Sequence, residues 1–438
     1  MYFCRFCGTE LEKDNNICPS CGKNNDFGKP AKKKLTQKQI KTIVAVAVLV
    51  AILIPAVYFG VGLIKDLARP NDIFYSDKYI VSVEDMNKHR DEVVATYGDY
   101  TLTNKMLQVF FWGRVYEFME YAGDYASYYG LSYNKPLSEQ VYDTETGKTW
   151  EHMFLEQSVN DWQNYVVMSE AGKKVGFEMP ARYQKLLDEM EADLTEQAKT
   201  AKLETAAEFL DKYVCPGCTL EDYKDYYELI YYSQGYYDYV TENWEVTDAE
   251  MDTYFSENAA ALKQNYKVDK TTGLMSNVRH ILILVETNGK DDENKAISTD
   301  EDWAKCKEEA QKVLDQWLAG DKTEESFAEL AMELSEDGGS KSNGGLYTAI
   351  NKDTTFVKPF LDWCIDENRK VGDYDLVKTS YGYHVMFFSE RDDGWKLYCR
   401  PGVKSEKTTA HLQELRDASG ITFNFKKIAI VEVSLTGK

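Results

Sequence analysis

Apolar and polar residues follow a helical period through the middle of the chain. Between about residue 97 and residue 266 apolar side chains recur three and four positions apart, as in LQVFFWGRVYEFMEYAGDY and YKDYYELIYYSQGYYDYVTENW, which predicts several amphipathic helices. Thr247 and Glu250 have the spacing of a capping box, so one helix is expected to begin there. The pattern predicts a mostly α-helical domain over residues 95–270.

Residues 278–390 change character. VRHILILVE predicts a strand, DWAKCKEEAQKVLDQWLAG and SFAELAMELS predict two helices, and a glycine-rich loop, a helix and a two-stranded hairpin follow. His384 alternates with apolar neighbours on the last strand, so we expect it to face the core side of a sheet. The prediction is an α+β domain over residues 275–391, a small antiparallel sheet flanked by helices, and a C-terminal segment over 392–438 with one helix and a strand-like end.

Residues 42–64 contain no charged side chain. A helix of this length spans about 35 Å at about 1.5 Å per residue, which is enough to cross the core of a bilayer. Pro55 would kink this helix without excluding it. A buried soluble helix would be unusually long for such a run, and a signal peptide would start nearer the N-terminus. We therefore predict a single transmembrane helix.

The charge distribution indicates how such a helix would be oriented. The chain of 438 residues has a net charge of −22, but residues 1–41 hold nine basic and four acidic residues, so the charge of −27 lies in the rest. Positive residues flank the cytosolic side of a membrane helix. The N-terminus is therefore expected in the cytosol and the bulk of the chain outside, in a single-pass cell-membrane protein. An acidic body also excludes nucleic-acid binding, which needs a basic face.

Two Cys-x-x-Cys pairs, each followed by glycine, lie in the short cytosolic segment: Cys4, Cys7, Cys18 and Cys21. Four thiolates in two such knuckles suit a tetrahedral structural Zn²⁺, and the reducing cytosol disfavours disulfides. The segment resembles a bacterial zinc-ribbon. We expect residues 1–25 to fold on zinc, with a basic linker over 26–41 and a second linker over 65–94 after the membrane helix. A cytosolic partner of the ribbon is expected, but the sequence does not identify it.

Two further features of the external part leave alternatives open. Cys215 and Cys218 lie between two helical runs without the preceding strand of a thioredoxin-like site, so they form either a short structural disulfide or two free thiols. Residues 221–240 contain eight tyrosines. These rings either belong to a helical core or line a groove for extended, partly apolar chains.

The motifs RHILI, FAELAMELSED, the S-x-x-x-GG loop, FVKPF and TSYGYH resemble the parvulin family of peptidyl-prolyl isomerases, in its order and with its spacing. With a membrane anchor and an upstream helical domain, the chain resembles the PrsA/SurA-like extracytoplasmic foldases of that family. The resemblance implies a parvulin (PpiC-type) domain, a C-terminal segment that returns to complete the helical domain, and isomerase activity without a cofactor.

Carried over by position, the resemblance implies eight site residues. Four would form the catalytic group: His280, Asp337, Thr379 and His384. Four would contact the substrate: Leu346, Phe356, Phe360 and Tyr381. The two histidines are expected to organise the pocket and to bond to each other or to the threonine. The aspartate is expected near the substrate carbonyl, where it either disfavours the polarised planar amide or only accepts hydrogen bonds.

The chain also departs from the family pattern. The loop ends in Gly344-Gly345-Leu346-Tyr347 where GGDLG is usual, so it lacks the acid and the final glycine. The insertion over 286–302 lacks the basic cluster of the phosphate-directed subgroup, so specificity for phosphorylated substrates is not expected.

Three functions follow as hypotheses. The first is a membrane-anchored isomerase and foldase that acts on unfolded exported polypeptides with X-Pro bonds. The second is a catalytically weak or inactive holdase that binds unfolded secreted chains, which the altered loop favours and the retained histidines oppose. The third is a signalling protein that couples external clients to the cytosolic ribbon. Self-association into a homo-oligomer is left open by the sequence.

Overall fold

The computed structural model describes the following parts of the chain: residues 80–287, 298–431 and 435, with two short N-terminal strands. The strands β1 (Tyr2–Phe3) and β2 (Glu10–Leu11) pair antiparallel. The predicted zinc ligands, basic linker and membrane helix lie outside the described residues. No helix in the described ranges is long and apolar enough to cross a membrane.

The helical part runs from residue 80 to residue 266 and contains a short strand, seven α-helices and two small hairpins. The helices are α1 (Val83–His89), α2 (Asn104–Ala122), α3 (Trp150–Lys174), α4 (Ala181–Thr200), α5 (Ala206–Tyr213), α6 (Leu220–Asn243) and α7 (Asp248–Tyr266). The strands are β3 (Ile80–Val81), then β4 (Val93–Tyr97) with β5 (Tyr100–Thr103), and β6 (Val141–Asp143) with β7 (Lys148–Thr149). A 3₁₀ helix, Gly123–Tyr129, follows α2.

Threonine caps begin several of these helices. The capping box predicted for α7 is confirmed, because Thr247 Oγ1 accepts the N–H of Glu250 at 3.3 Å and Glu250 Oε2 accepts the N–H of Thr247 at 2.8 Å. Two differences from the prediction concern strands within or next to the helical part. The hairpins interrupt the predicted helical run, and residues 80–94 form β3, α1 and the start of β4 rather than a linker. Both differences depend on strand partners that local periodicity does not reveal.

The tyrosine-rich helix α6 belongs to the core. Tyr226, Tyr227, Tyr231 and Tyr236 are buried, and Tyr226 packs edge-on against Phe110 of α2 at a centroid distance of 4.7 Å. The structure thus favours the core interpretation over a tyrosine-lined groove on this helix. For Cys215 and Cys218 the sequence allowed either a disulfide or two free thiols. The structure has them as buried free thiols just before α6.

The α+β part has the predicted small antiparallel sheet, in the order β10-β11-β8-β9. Its strands are β8 (Leu274–Leu284), β9 (Leu346–Ile350), β10 (Tyr374–Lys378) and β11 (Gly382–Asp393). Its helices are α8 (Asp300–Ala319), α9 (Glu324–Leu334) and α10 (Lys358–Ile365). β9 is an addition to the predicted elements, because residues 346–350 follow directly on the glycine-rich loop and only the pairing with β8 makes them a strand.

Both faces of this sheet are covered. One face packs on α8 and α9 through a core that includes Ile281, Trp317 and Phe387. The other face packs on α10 through a core that includes Phe360 and Met386. The central strand β8 is therefore buried on both sides, which fixes its register firmly.

After β11 the chain returns to the helical part. Helix α11 (Gly394–Ser419) packs on α7, and β12 (Ile430–Val431) pairs in parallel with β3. The buried amide of Gln108 holds this end, since it accepts the N–H of Val431 and donates to its carbonyl, both at 3.1 Å. Residues from the two ends of the range 80–431 thus complete one folded unit.

Candidate active site

Two histidines lie side by side on the α10 face of the sheet. His280 of β8 is opposite Met386 of β11, and His384 is opposite Leu282, so the histidines are diagonal neighbours on one face. Their Nδ1 atoms are 3.0 Å apart, and both side chains are buried. The register of β8 against β11 therefore forms the pair.

The loop after α9 brings Asp337 to this pair. Glu336 donates its backbone N–H to the carbonyl of Leu282 at 2.8 Å, and the N–H of Leu282 donates to Ser335 Oγ at 3.2 Å. The loop thus extends along the edge of β8 beyond the residues that pair with β9. Asp337 Oδ2 lies 3.0 Å from Nε2 of His280 as a result.

The same loop can approach β8 only because residue 345 is glycine. Gly345 has a φ of 74°, and its carbonyl accepts the N–H of His280 at 2.9 Å. A Cβ atom at this position would lie 2.2 Å from the carbonyl oxygen of His280. Any side chain here would push the loop, and Asp337 with it, away from the histidines.

The turn between β10 and β11 supplies the fourth member of the group. Thr379 Oγ1 lies 2.9 Å from Nε2 of His384 and accepts the backbone N–H of Tyr381 at 3.2 Å. The structure therefore brings all four predicted catalytic residues into one continuous line of contacts: Thr379, His384, His280 and Asp337.

One set of proton positions gives each member of this line a partner with both histidines neutral. An ionised Asp337 can only accept, so Nε2 of His280 carries a proton and donates to it. Nδ1 of His280 then accepts from Nδ1–H of His384, whose Nε2 accepts from the hydroxyl of Thr379. Each donor points along the line toward the carboxylate.

Hydrogen bonds and burial determine the charge states of Asp337 and His384. The hydrogen bond from His280 holds the pKa of the Asp337 carboxyl well below its ordinary value, and bonds from Ser340 and Tyr347 act in the same direction against the effect of burial. Burial lowers the pKa of His384 to about 3, with a further lowering from the neighbouring His280. At neutral pH Asp337 is ionised and His384 is neutral.

Aromatic rings form the apolar side of the site. Phe360 stands edge-on to both imidazoles, with centroid distances of 5.0 Å to His280 and 5.1 Å to His384. Phe356 packs on Phe360 at 5.0 Å and on Tyr347 at 4.9 Å, and Tyr347 lies nearly parallel to His280 at 5.3 Å. The His280 imidazole therefore contacts both the charged carboxylate of Asp337 and the apolar ring of Phe360.

Two predicted substrate residues do not join this group. Leu346 is opposite Arg279, so it lies on the face of the sheet away from His280, and its neighbour Tyr347 takes the site face. The expectation that Leu346 contacts the substrate is therefore corrected. It could not be checked from the sequence, because the register of β9 against β8 decides which side chain faces the site. Tyr381 has a 58% exposed side chain in the turn, and what it contributes to the group is its backbone N–H.

Two residues of the group were missed in the sequence. Ser340 Oγ lies 2.5 Å from Asp337 Oδ2 and 3.0 Å from Nε2 of His280. It is the serine of the S-x-x-x-GG motif, so that motif contained a usable signal. The hydroxyl of Tyr347 donates to Asp337 Oδ2 at 3.0 Å, and burial raises the pKa of Tyr347 to about 12. Only the strand register reveals this residue.

Metal ligands are not part of this site. Within residues 80–287 and 298–431, no group of three or more His, Cys, Asp or Glu side chains is arranged to hold a metal ion. The four cysteines predicted to bind zinc lie outside the described residues.

Comparison with known proteins agrees with the fold and with the position of the site. Residues 237–392 match the family model of the PPIC-type PPIASE domain, which includes the four residues of the hydrogen-bonded line. The chain is 28% identical over 222 residues to the foldase protein PrsA of Clostridium botulinum, which covers 47% of this chain and 55% of that protein. It is 25% identical over 261 residues to PrsA of Clostridium kluyveri, covering 56% and 67%.

The match therefore spans about half the length of the first of these relatives. Among solved structures, PrsA from Bacillus subtilis is 21% identical and covers 65% of this chain and 90% of that chain, with a TM-score of 0.27. Residues 237–392 thus match the model of an isomerase domain, and helices of the helical part lie before and after the sheet in this range.

Proposed function

We propose that this chain is a membrane-anchored, extracytoplasmic peptidyl-prolyl cis–trans isomerase that assists the folding of exported proteins. The observation that carries the proposal is the buried hydrogen-bonded line from Thr379 to Asp337 beside the rings of Phe356 and Phe360. The match of residues 237–392 to an isomerase domain supports the activity, and the names of the curated relatives support the role as a foldase.

The reaction needs geometry and electrostatics rather than covalent chemistry. Rotation about an X-Pro bond passes through a twisted amide, against a barrier of about 18–20 kcal/mol. Phe356 and Phe360 offer an apolar surface for the pyrrolidine ring, so the ring stays fixed while the preceding carbonyl turns. The twisted amide carries less charge on its oxygen than the planar one. An ionised Asp337 near that oxygen therefore disfavours the planar amide more than the twisted one.

The histidines position the carboxylate in this mechanism. His280 donates to Asp337 and is itself held by His384, which Thr379 anchors to the turn. Because His384 is neutral at neutral pH, it adds no positive charge that would offset the carboxylate. No proton is transferred to or from the substrate.

The proposed location rests on the sequence outside the described residues. Residues 42–64 would cross the membrane, with the basic segment in the cytosol and the isomerase outside, where slow X-Pro isomerisation of about 10–100 s limits the folding of exported chains. The N-terminal cysteine pairs would hold a structural Zn²⁺.

The test is a proline-limited refolding assay with the full chain in lipid nanodiscs, together with a short X-Pro peptide substrate. We expect the wild type to accelerate both reactions, and His384→Ala and Asp337→Ala to lower the rate constants at least about tenfold. His411→Ala and Asp362→Ala, which change the same residue types outside the site, serve as matched controls. A wild type without activity on either substrate would refute the proposal.

A catalytically weak holdase is the second candidate, and one observation favours it. The Tyr347 hydroxyl donates a hydrogen bond to the Asp337 carboxylate, and its ring stacks on His280. Tyr347 lies where this loop departs from the family pattern. In the same refolding assay a holdase suppresses aggregation without changing the proline-limited rate, and neither site variant reduces that suppression.

A further inference from the structure

Exposed aromatic side chains are concentrated at the end of α2 and in the segment that follows it. Tyr121, Tyr125 and Tyr128 are 74%, 76% and 88% exposed, and Tyr129 and Tyr142 are about half exposed. These five residues are called the tyrosine platform below. Soluble proteins rarely leave so much aromatic surface together unless it binds something.

Three rings of the platform contact one another, and one of them rests on the core. Tyr129 lies between Tyr121 and Tyr128, with centroid distances of 6.1 Å and 5.9 Å. It also packs on Phe118 at 5.8 Å, and Phe118 in turn contacts the buried ring of Trp150 at 4.9 Å. Exposed rings that are supported from below lose little conformational entropy when a partner binds.

The base of the platform also holds an unused hydrogen-bond donor. Tyr142 stands edge-on to Trp150 at a centroid distance of 4.9 Å. The Nε1–H of Trp150 is buried and has no acceptor among the described residues. A buried donor without a partner is costly.

The charge around the platform selects the partner. Residues 117–145 contain six acidic residues and one basic residue, and the side chains of Glu120, Glu139 and Glu145 are exposed. Tyrosine faces attract Lys and Arg side chains, and the carboxylates add to this attraction. The same carboxylates repel the anionic surface of a membrane.

We propose that the tyrosine platform is a second binding surface that takes extended, unfolded polypeptide segments rich in Lys or Arg and in apolar residues. The rings would stack on aliphatic and guanidinium groups, and the carboxylates would pair with the cations. The surface is separate from the isomerase site and does not require proline in its ligand. The inference rests on the proposed foldase function only for the origin of such segments.

The experiment measures the fluorescence anisotropy of two labelled, proline-free peptides of about twenty residues with the full chain in phosphatidylcholine nanodiscs. One peptide contains Lys, Leu and Phe, and the other has Glu in place of Lys. We expect the wild type to bind the cationic peptide more tightly, and Tyr121→Ser/Tyr125→Ser/Tyr128→Ser to weaken this binding about tenfold or more. Tyr266→Ser, another exposed tyrosine, serves as the matched control and should bind as the wild type does.

A second variant tests the contribution of the exposed carboxylates. Because these side chains are on the surface, we expect the variant to fold as the wild type does. Glu120→Gln/Glu139→Gln/Glu145→Gln should weaken cationic peptide binding severalfold and reduce its dependence on salt between about 0.05 and 0.5 M. A short X-Pro peptide is assayed on the same preparations, and its isomerisation rate should not change in either variant. A wild type that binds the peptide but does not catalyse isomerisation would refute the proposed isomerase function. It would not contradict the proposed binding surface.

Several results would overturn the inference. Equal binding of both peptides would show that charge does not select the partner, and equal binding by wild type and tyrosine variant would place the surface elsewhere. A tyrosine variant that converts a dimer to a monomer while peptide binding persists would show that a second copy covers the platform. Vesicles of anionic lipid that compete for the rings would identify a membrane as the partner.

Discussion

Replacing His384 with glutamine is expected to remove part of the acid sensitivity of the fold. The imidazole is buried between His280, Thr379 and Phe360, and burial lowers its pKa to about 3. In the unfolded chain a histidine has a pKa of about 6.5. Between these two pH values the unfolded chain binds a proton at this position that the native protein does not bind.

The sign and size of the effect follow from that difference. Because the unfolded state binds more protons, the free energy of unfolding falls as the pH falls through about 6.5, by about 1.4 kcal/mol per pH unit, until the native histidine titrates near 3. From pH 6.5 to pH 5 this amounts to about 2 kcal/mol. The pKa of Asp337 is also lowered in the folded protein, but its contribution is lost only below the ordinary carboxyl pKa of about 4.

The measurement is urea unfolding of wild type and His384→Gln at pH 7.0, 6.0 and 5.0, followed by tryptophan fluorescence. The variant should be less stable at pH 7.0, since two hydrogen bonds are weakened, but the gap to the wild type should narrow by about 2 kcal/mol at pH 5.0. Asp238, whose pKa burial raises to about 6, acts with the opposite sign but equally in both proteins, so it cancels in the comparison.

Thr379→Val is the control, because it removes the hydroxyl that bonds to His384 and keeps the imidazole buried. It should lower stability at each pH and retain the wild-type slope. Parallel pH dependence of wild type and His384→Gln would refute the reasoning, since it would mean that the imidazole accepts a proton in the native state.

Two further predictions concern single contacts. Tyr347→Phe removes one of the donors to Asp337, so the pKa of this carboxyl should rise toward its ordinary value in a carbon-13 NMR titration, and an unchanged titration would contradict the assignment. Gln108→Leu leaves the backbone N–H of Val431 buried and unpaired, so urea unfolding should show a loss of about 1–3 kcal/mol. Gln311→Leu, on an exposed surface, is its control and should stay within about 0.5 kcal/mol, and equal losses would contradict the role of Gln108.

Features with a local signal could be predicted from the sequence. The capping box of α7 needs only Thr247 and Glu250, three residues apart. The strand β8 and the hairpin of β10 and β11 have apolar alternation and a turn glycine of their own. The α+β character of residues 275–391 followed from these elements, because helices and strands alternate there within short distances.

Features that depend on a distant partner could not be predicted. β3 and β12 contain two residues each. They are strands only because Ile80 pairs with Ile430 from the other end of the chain. β9 follows a glycine-rich loop, and its role is visible only from its pairing with β8. The unknown register of β9 also explains why Leu346 was expected at the site where the structure has Tyr347. Neighbouring residues of a strand point to opposite faces of the sheet.

The α+β part joins the helical part through its two central strands. β8 follows soon after α7, and β11 runs directly into α11, with the N–H of Gly394 donating to the carbonyl of Gly273 at 3.0 Å where the two connections meet. An apolar cluster that includes Met251 and Trp395 packs these helices together at that base.

The lateral contacts between the two parts are weaker than this base. The ion pairs of Arg182 with Glu329 at 3.9 Å and Lys185 with Glu333 at 3.4 Å are partly exposed, and such pairs contribute about 0–1 kcal/mol each. Breaking them would release α9 from α4 without separating β8 and β11 from the helices they continue into. The histidines lie on these two strands, and the register of β8 against β11 forms their contact. The pair therefore depends on the strand pairing and not on the lateral ion pairs.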